Sequence, residues 1–168
     1  MGVLQSAVRG DAYAVQFEPE LPMNAINQVT MVHFVKIFLI FNEQFWEDTE
    51  SDQQFFGHVS ETRGYYPIFF TVKNISNTIH VHVTGDLALR VLIQDEEVTE
   101  NEVMDILRKL YKRNVPDPVD IEISQWDFNP LFVGSYEVYG PGVPRDIFEE
   151  LHKPMNNRIY LQNLSLLL

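Results

Sequence analysis

The run Val29 to Phe41, VTMVHFVKIFLIF, constrains the fold more than any other stretch of the chain. It is rich in β-branched and aromatic residues and holds neither Gly nor Pro, so it reads as one long central strand on which a sheet is built. Tyr65 to Val72 (YYPIFFTV) and Thr78 to Thr84 (TIHVHVT) read as two more strands. Lys73-Asn74-Ile75-Ser76-Asn77 between them supplies turn residues, and the pair reads as a hairpin. Pro67 has no N–H to give to a ladder, which puts the start of its strand at an edge or a bulge.

The clearest helix is Thr99 to Arg113, TENEVMDILRKLYKR. Thr99 and Glu102 make a capping-box pattern, and Val103, Ile106, Leu107 and Leu110 recur at helical spacing. Arg108, Lys109, Lys112 and Arg113 crowd the negative end of the dipole. An apolar stripe of this kind is expected to lie on a sheet. Ile121 to Ser124 reads as a short strand, Pro144 to His152 as a short helix and Arg158 to Leu161 as a last strand. This irregular order implies an α+β fold, with a mixed, largely antiparallel sheet flanked by helices, rather than βαβ alternation. No internal repeat, low-complexity tract or linker interrupts it.

With 168 residues, 45% of them hydrophobic and 12% aromatic, the chain has enough apolar side chain for one core, and residues 1–168 read as a single domain. No stretch approaches the roughly 18 unbroken apolar residues of a membrane span, and no basic-then-apolar leader is encoded. A soluble chain is the expectation, with the compartment left open. The absence of cysteine excludes disulfides, thiolate zinc sites and a cysteine nucleophile. A formal charge of −12 argues against a nucleic-acid partner, because phosphate contacts depend on clustered Lys and Arg. Such a surface either attracts a cationic ligand or simply keeps the domain in solution.

The opening MGVLQS has two readings. It fits M-G-x-x-x-[ST], in which Gly2 accepts a myristoyl chain, or GVLQS is the tail of a strand inside a longer protein.

Few residues promise chemistry. Lys36 shares a strand face with Phe34, Phe38 and Ile40, while Val35, Ile37 and Leu39 line the other, so neither face looks wet. Either the ammonium snorkels to water at an edge, or it is desolvated with a lowered pKa. His80 and His82, two apart on one strand, point to the same side. Without a third ligand nearby they read as a solvated face rather than a metal site. Trp126 to Tyr136, WDFNPLFVGSY, is an aromatic, Pro-interrupted segment that either lines a pocket or packs under the helix. There is no Gly-flanked nucleophile serine, no G-x-G-x-x-G and no G-x-x-x-x-G-K, so no phosphate-cradling loop is encoded.

At these residues the chain becomes recognisable. GVLQS, then FEPELP at Phe17 to Pro22 and VKIFLIFNEQFW at Val35 to Trp46, resembles the flavin-containing amine oxidases, especially the polyamine oxidases. VTGDLALR at Val83 to Arg90, VMDILRKLY, VPDPVD at Val115 to Asp120, the W…GSY loop and R-I-Y at Arg158 to Tyr160 follow in family order. The resemblance implies the substrate-binding domain, a mixed sheet with helices on one side that packs against a separate FAD-binding domain. That second domain is expected to be largely missing at both ends of this chain. The likeness stops at about Leu161, AVRGDAYA at Ala7 to Ala14 looks like an insertion, and the family's Trp-Lys before Ala25 is absent. The strand-tail reading of GVLQS follows, with the myristoylation pattern a coincidence.

The resemblance also implies a chemistry. The family oxidises a C–N bond of a polyamine or other amine by hydride transfer to FAD, with O2 as acceptor. Lys36 falls on the lysine that holds a water against N5 of the flavin, Trp126 on a tryptophan near it, and Gly134, Ser135 and Tyr136 on a loop beside it. Glu137 stands where the family's G-S-Y-S form has Ser. FAD is thus the cofactor expected of the full-length family, and none is expected for this chain alone, which should be inactive in isolation. The competing expectation is a non-catalytic, stand-alone interaction module derived from that domain.

Overall fold

The apolar run does not form one strand. The computed structural model describes residues 1–18, 20–47, 53–72, 75–112 and 114–161. Helices α1 (Gly2–Arg9) and α2 (Met23–Gln28) come first, and the run then supplies both β1 (Thr30–Val32) and β2 (Phe34–Ile40). After them come β3 (Gln53–Gly57), β4 (Ile68–Val72), β5 (Ile75–Thr84), α3 (Gly85–Ile93), α4 (Glu96–Tyr111), β6 (Asp120–Ile123), β7 (Tyr136–Val138) and α5 (Asp146–His152). β1 pairs only with β7, whereas β2 sits inside a five-stranded sheet of order β3-β4-β5-β2-β6. His33 belongs to neither ladder: Val32 is the last residue paired to β7 and Phe34 the first paired to β5. Every strand pair is antiparallel, and the architecture is α+β as expected.

The chain divides into two compact units, a central one (Phe34–Gln125) and a terminal one (Met1–His33 with Trp126–Leu168). In the central unit, β2 alternates strictly. Val35, Ile37 and Leu39 are fully buried, together with Ile79, Val81 and Val83 of β5 and Phe69 of β4. α3 and α4 close that face with Ala88, Val91, Val103, Met104, Ile106 and Leu107. The β4–β5 pairing is the expected hairpin pairing, although β5 starts at Ile75; Lys73 and Asn74 of the expected turn lie outside the described residues. β4 begins at Ile68, immediately after Pro67 and the fully buried Tyr66, whose φ of 41° turns the chain before the ladder starts. Since β4 is flanked by β3 and β5, Pro67 ends a turn and does not mark an edge strand.

α4 starts earlier than its capping-box pattern implies. Its N-cap is Asp95, and Thr99 is fully buried within the helix, where its Oγ1 accepts from Gln94 Nε2 at 2.6 Å. Glu102 accepts two bonds of 2.9 Å from the Arg90 guanidinium and one of 2.6 Å from Tyr66 Oη. Burial works to raise the Glu102 pKa, but the hydrogen bonds from Tyr66, Arg90 and Gln94 outweigh it and hold the carboxyl below its ordinary value. The expected box is therefore an ion cluster joining α3, α4 and the β4 approach. Leu110 is 41% exposed, so the buried stripe ends a turn before it, and Arg113 lies outside the described residues.

In the terminal unit, Ala25, Ile26, Val29, Ile147 and Leu151 form a small core, with Met1, Leu4 and Val8 packed against it at helical spacing. That spacing explains why GVLQS is helical here and not the end of a strand. Arg158 to Leu161 is not a strand either. One bridge, Met155 to Ile159, closes a turn in which Asn156 and Asn157 have φ of 49° and 53°.

Candidate functional site

Lys36 stands on the sheet face opposite the helices. It is half-buried and, in the antiparallel register, lies directly across from His82, while Phe38 lies across from His80. On β4, Ile68 is paired with His82 and Phe70 with His80, so these side chains share one face. Phe70 stacks on His80 (5.0 Å, 17°) and His80 on His82 (5.0 Å, 23°), and Phe34 meets His82 edge-on at 5.1 Å. The backbone at Lys36 is clamped by Ser124: Lys36 N donates to Ser124 Oγ at 2.8 Å, and Ser124 N donates to Lys36 O at 2.9 Å. This second contact fixes the lysine at the end of the β2–β6 ladder.

The electrostatics of this face are unusual for a sheet surface. Among the described residues no ion pair includes Lys36. His80 is 9% exposed, which corrects the expectation of a solvated histidine face. Burial first, and then the charges of His82 and Lys36, push the His80 pKa down to about 4. Burial and Lys36 likewise lower that of His82. Both rings are thereby kept neutral beside a cation, and His82 Nε2 is shielded from solvent with no hydrogen-bond partner among the described residues. No cluster of three metal-ligating side chains occurs among the described residues. The same face carries exposed apolar side chains: Ile68 of β4, across from His82, is 40% exposed, and Phe55 of the edge strand β3, across from Phe70, is 76% exposed.

Trp126, Gly134, Ser135 and Tyr136 come together on a loop of the terminal unit. Trp126 O accepts from Asn129 N and Gly134 N, and the indole, 42% exposed, meets Phe132 edge-on at 4.8 Å. Trp126 therefore packs within its own loop. Gly134 has φ of 128°, and a Cβ there would stand 2.6 Å from the Met31 side chain, so glycine is required on both counts. Ser135 N donates to Val32 O, and Tyr136 opens β7 opposite Val32. Gly2 lies under the same loop, where a Cβ would come within 2.0 Å of Val133 O.

Sequence reading missed two features. His33 Nδ1 donates to Asp127 Oδ1 at 2.5 Å across 94 positions, and the second oxygen of Asp127 is buried with no partner among the described residues. No local spacing points to that pair. The i, i+2 spacing of His80 and His82 is visible in the sequence, but the cross-strand position of His82 against Lys36 is set by register, which only the folded ladder specifies.

Residues 2–162 match the pattern of the family described as Flavin containing amine oxidoreductase. The chain is 33% identical over 167 residues to "Polyamine oxidase 1" of Zea mays, covering 95% of this chain and 32% of that protein. It is 32% identical over 167 residues to "Polyamine oxidase 7" of Oryza sativa subsp. japonica, covering 95% and 34%. It is also 29% identical over 147 residues to "Lysine-specific histone demethylase 1B" of Mus musculus, covering 82% and 18%. It thus spans about a third of the length of the plant polyamine oxidases it matches. Among the described residues, no helix is long and apolar enough to cross a membrane. With the family match running through both the Lys36 strand and the Trp126 loop, the chain belongs to the flavin-containing amine oxidoreductases and is polyamine oxidase-like.

Proposed function

We propose that residues 1–168 are the substrate-binding portion of an FAD-dependent amine oxidase that acts on a polyamine or a related amine and works together with an FAD-binding domain. The observation that carries this reading is Lys36: an ammonium without an acidic partner among the described residues, on a backbone held by Ser124 and on an aromatic sheet face. Those surroundings suit a flat heteroaromatic ring with hydrogen-bond acceptors along its edge, so the side chains present fit a flavin ring.

The chemistry a bound flavin would supply here is acceptance of a hydride from the carbon beside the amine nitrogen and transfer of the electrons to O2. Lys36 in this reading donates a hydrogen bond to a water and places a positive charge where negative charge develops during reoxidation. Ser124 holds the backbone beneath it. Trp126, Gly134, Ser135 and Tyr136 keep, by the family resemblance, the role of a flavin-proximal loop, and the net charge of −12 draws in a polycationic substrate.

The test uses protein that carries both these residues and an FAD-binding domain. It should show a flavin band at about 450 nm, and Lys36→Met should slow reoxidation by roughly tenfold or more while leaving the KM for the amine nearly unchanged. The 168-residue chain alone should be colourless. Reoxidation at the parent rate in Lys36→Met would remove the role given to Lys36. Absence of flavin from the complete protein would favour the non-catalytic interaction module.

A further inference from the structure

His33 and Asp127 meet where the β2–β6 ladder has already ended. Its last contact is the Lys36–Ser124 clamp, and the same register carried three residues further sets His33 opposite Asp127. At the root of the Trp126 loop a side-chain bond thus takes over from the backbone, from His33 Nδ1 to Asp127 Oδ1 at 2.5 Å. The Asp127 side chain is only 10% exposed, and its other oxygen is shut off from solvent with no partner among the described residues. A carboxylate in such a place is costly to keep, and among the described residues the bond from His33 is what offsets that cost. The loop it anchors is strained. Val133 is β-branched yet has φ of 53°, and Gly134 follows at 128°. Such dihedrals persist only where neighbouring contacts impose them. Two backbone bonds close the neck of the loop before β7 begins, Gly134 N to Trp126 O and Ser135 N to Val32 O, and both are long at 3.4 Å. The bond to the carboxylate is the strongest tie across that neck.

We propose that His33 and Asp127 form a latch on the Trp126 loop, residues 126–135. In the closed form the carboxylate is bonded to His33 and sealed from water. In the open form that bond is broken, Asp127 is hydrated and the strain at Val133 is released. His33 is a positioning residue. The latch itself stands on the His33–Asp127 geometry, and its consequence for turnover rests on the reading above, in which this loop lies beside the flavin. A latch of this kind has an asymmetric signature. Loss of His33 alone leaves a buried carboxylate with nothing to offset its desolvation, so the loop opens to hydrate it. Loss of both partners leaves an apolar contact, and the loop stays shut.

Amide hydrogen exchange of the 168-residue chain reads the latch at Val133, Gly134 and Ser135, whose N–H groups are bonded in the closed loop. His33→Leu should speed their exchange by about tenfold or more, whereas the double variant His33→Leu/Asp127→Leu should return it to within about threefold of the parent. Exchange in β2 and β5 should stay at the parent rate in both variants, which separates loop opening from loss of folding. Equal rates in the parent and His33→Leu overturn the latch. So does faster exchange in the double variant than in His33→Leu, the additive outcome of a merely structural contact. In protein that also carries an FAD-binding domain, His33→Leu should lower kcat about threefold or more with the amine KM nearly unchanged, and the double variant should restore it. If exchange responds in this way and turnover does not, the latch stands and the placing of the loop beside the flavin fails.

Discussion

The central and terminal units bury their apolar residues by different means. In the central unit a strict strand alternation commits an entire sheet face, and the 16-residue α4 covers it, so the core runs continuously from Val35 to Ile121. The terminal unit relies on helices of 8, 6 and 7 residues, each with only a turn or two of apolar side chain to bury. Its core is correspondingly small, and Leu131 (76%), Phe128 (59%) and Phe132 (47%) stay exposed. Short helices are marginal on their own and depend on packing for stability. Stability in this chain thus follows element length and register more than the local density of apolar residues. The open face of the central sheet is the exception: there Ile68 of β4 and Phe55 of the edge strand β3 stay exposed on the face that carries Lys36.

The largest expected effect is in the central core. Leu39→Ala removes a fully buried side chain paired on both sides, by β5 and β6, and should cost about 4 kcal/mol, whereas Ile26→Ala in the small terminal core should cost about 2 kcal/mol because its short helices can close around the gap. Each unit has its own reporter, Trp46 in the central core and Trp126 in the terminal loop, so denaturant unfolding of single-tryptophan variants reads them separately. Equal losses would break the contrast.

A second test sharpens it through pH. His80 has its pKa lowered to about 4, so between that value and the ordinary 6.5 the unfolded chain binds a proton that the folded one refuses. Stability of the central unit is therefore full above pH 6.5 and falls as the pH drops towards 4, by an amount of order 3 kcal/mol. His80→Phe should flatten most of that dependence, leaving the smaller share of His82, and the signal of Trp126 should not follow it. The smallest effect is expected at Leu131→Ser, which should change stability by less than about 0.5 kcal/mol. A loss above 1 kcal/mol there would mean that the loop is packed more tightly than its exposure of 76% indicates.

What the sequence by itself determined is whatever has a short period. The alternation around Lys36 assigned its two faces correctly, the β4–β5 pairing followed from two strand runs with turn residues between them, and the body of α4 followed from its apolar spacing. The family was legible too, because its motifs are ordered along the chain and need no fold to be compared. What only the tertiary structure decided involves partners far apart in sequence. His33 divides an apolar run that local propensity reads as continuous, since its two halves find different neighbours in β7 and β5. Glu102 is diverted from a cap to Arg90 and Tyr66, because charge-assisted bonds at 2.9 Å from a neighbouring helix outweigh a local bond to the backbone. His82 meets Lys36 only because the β2–β5 register places them opposite each other, and a shift of one residue would send the ring to the other face. Local propensity acts over a few residues, whereas register and ion pairing are settled by the free energy of the assembled fold.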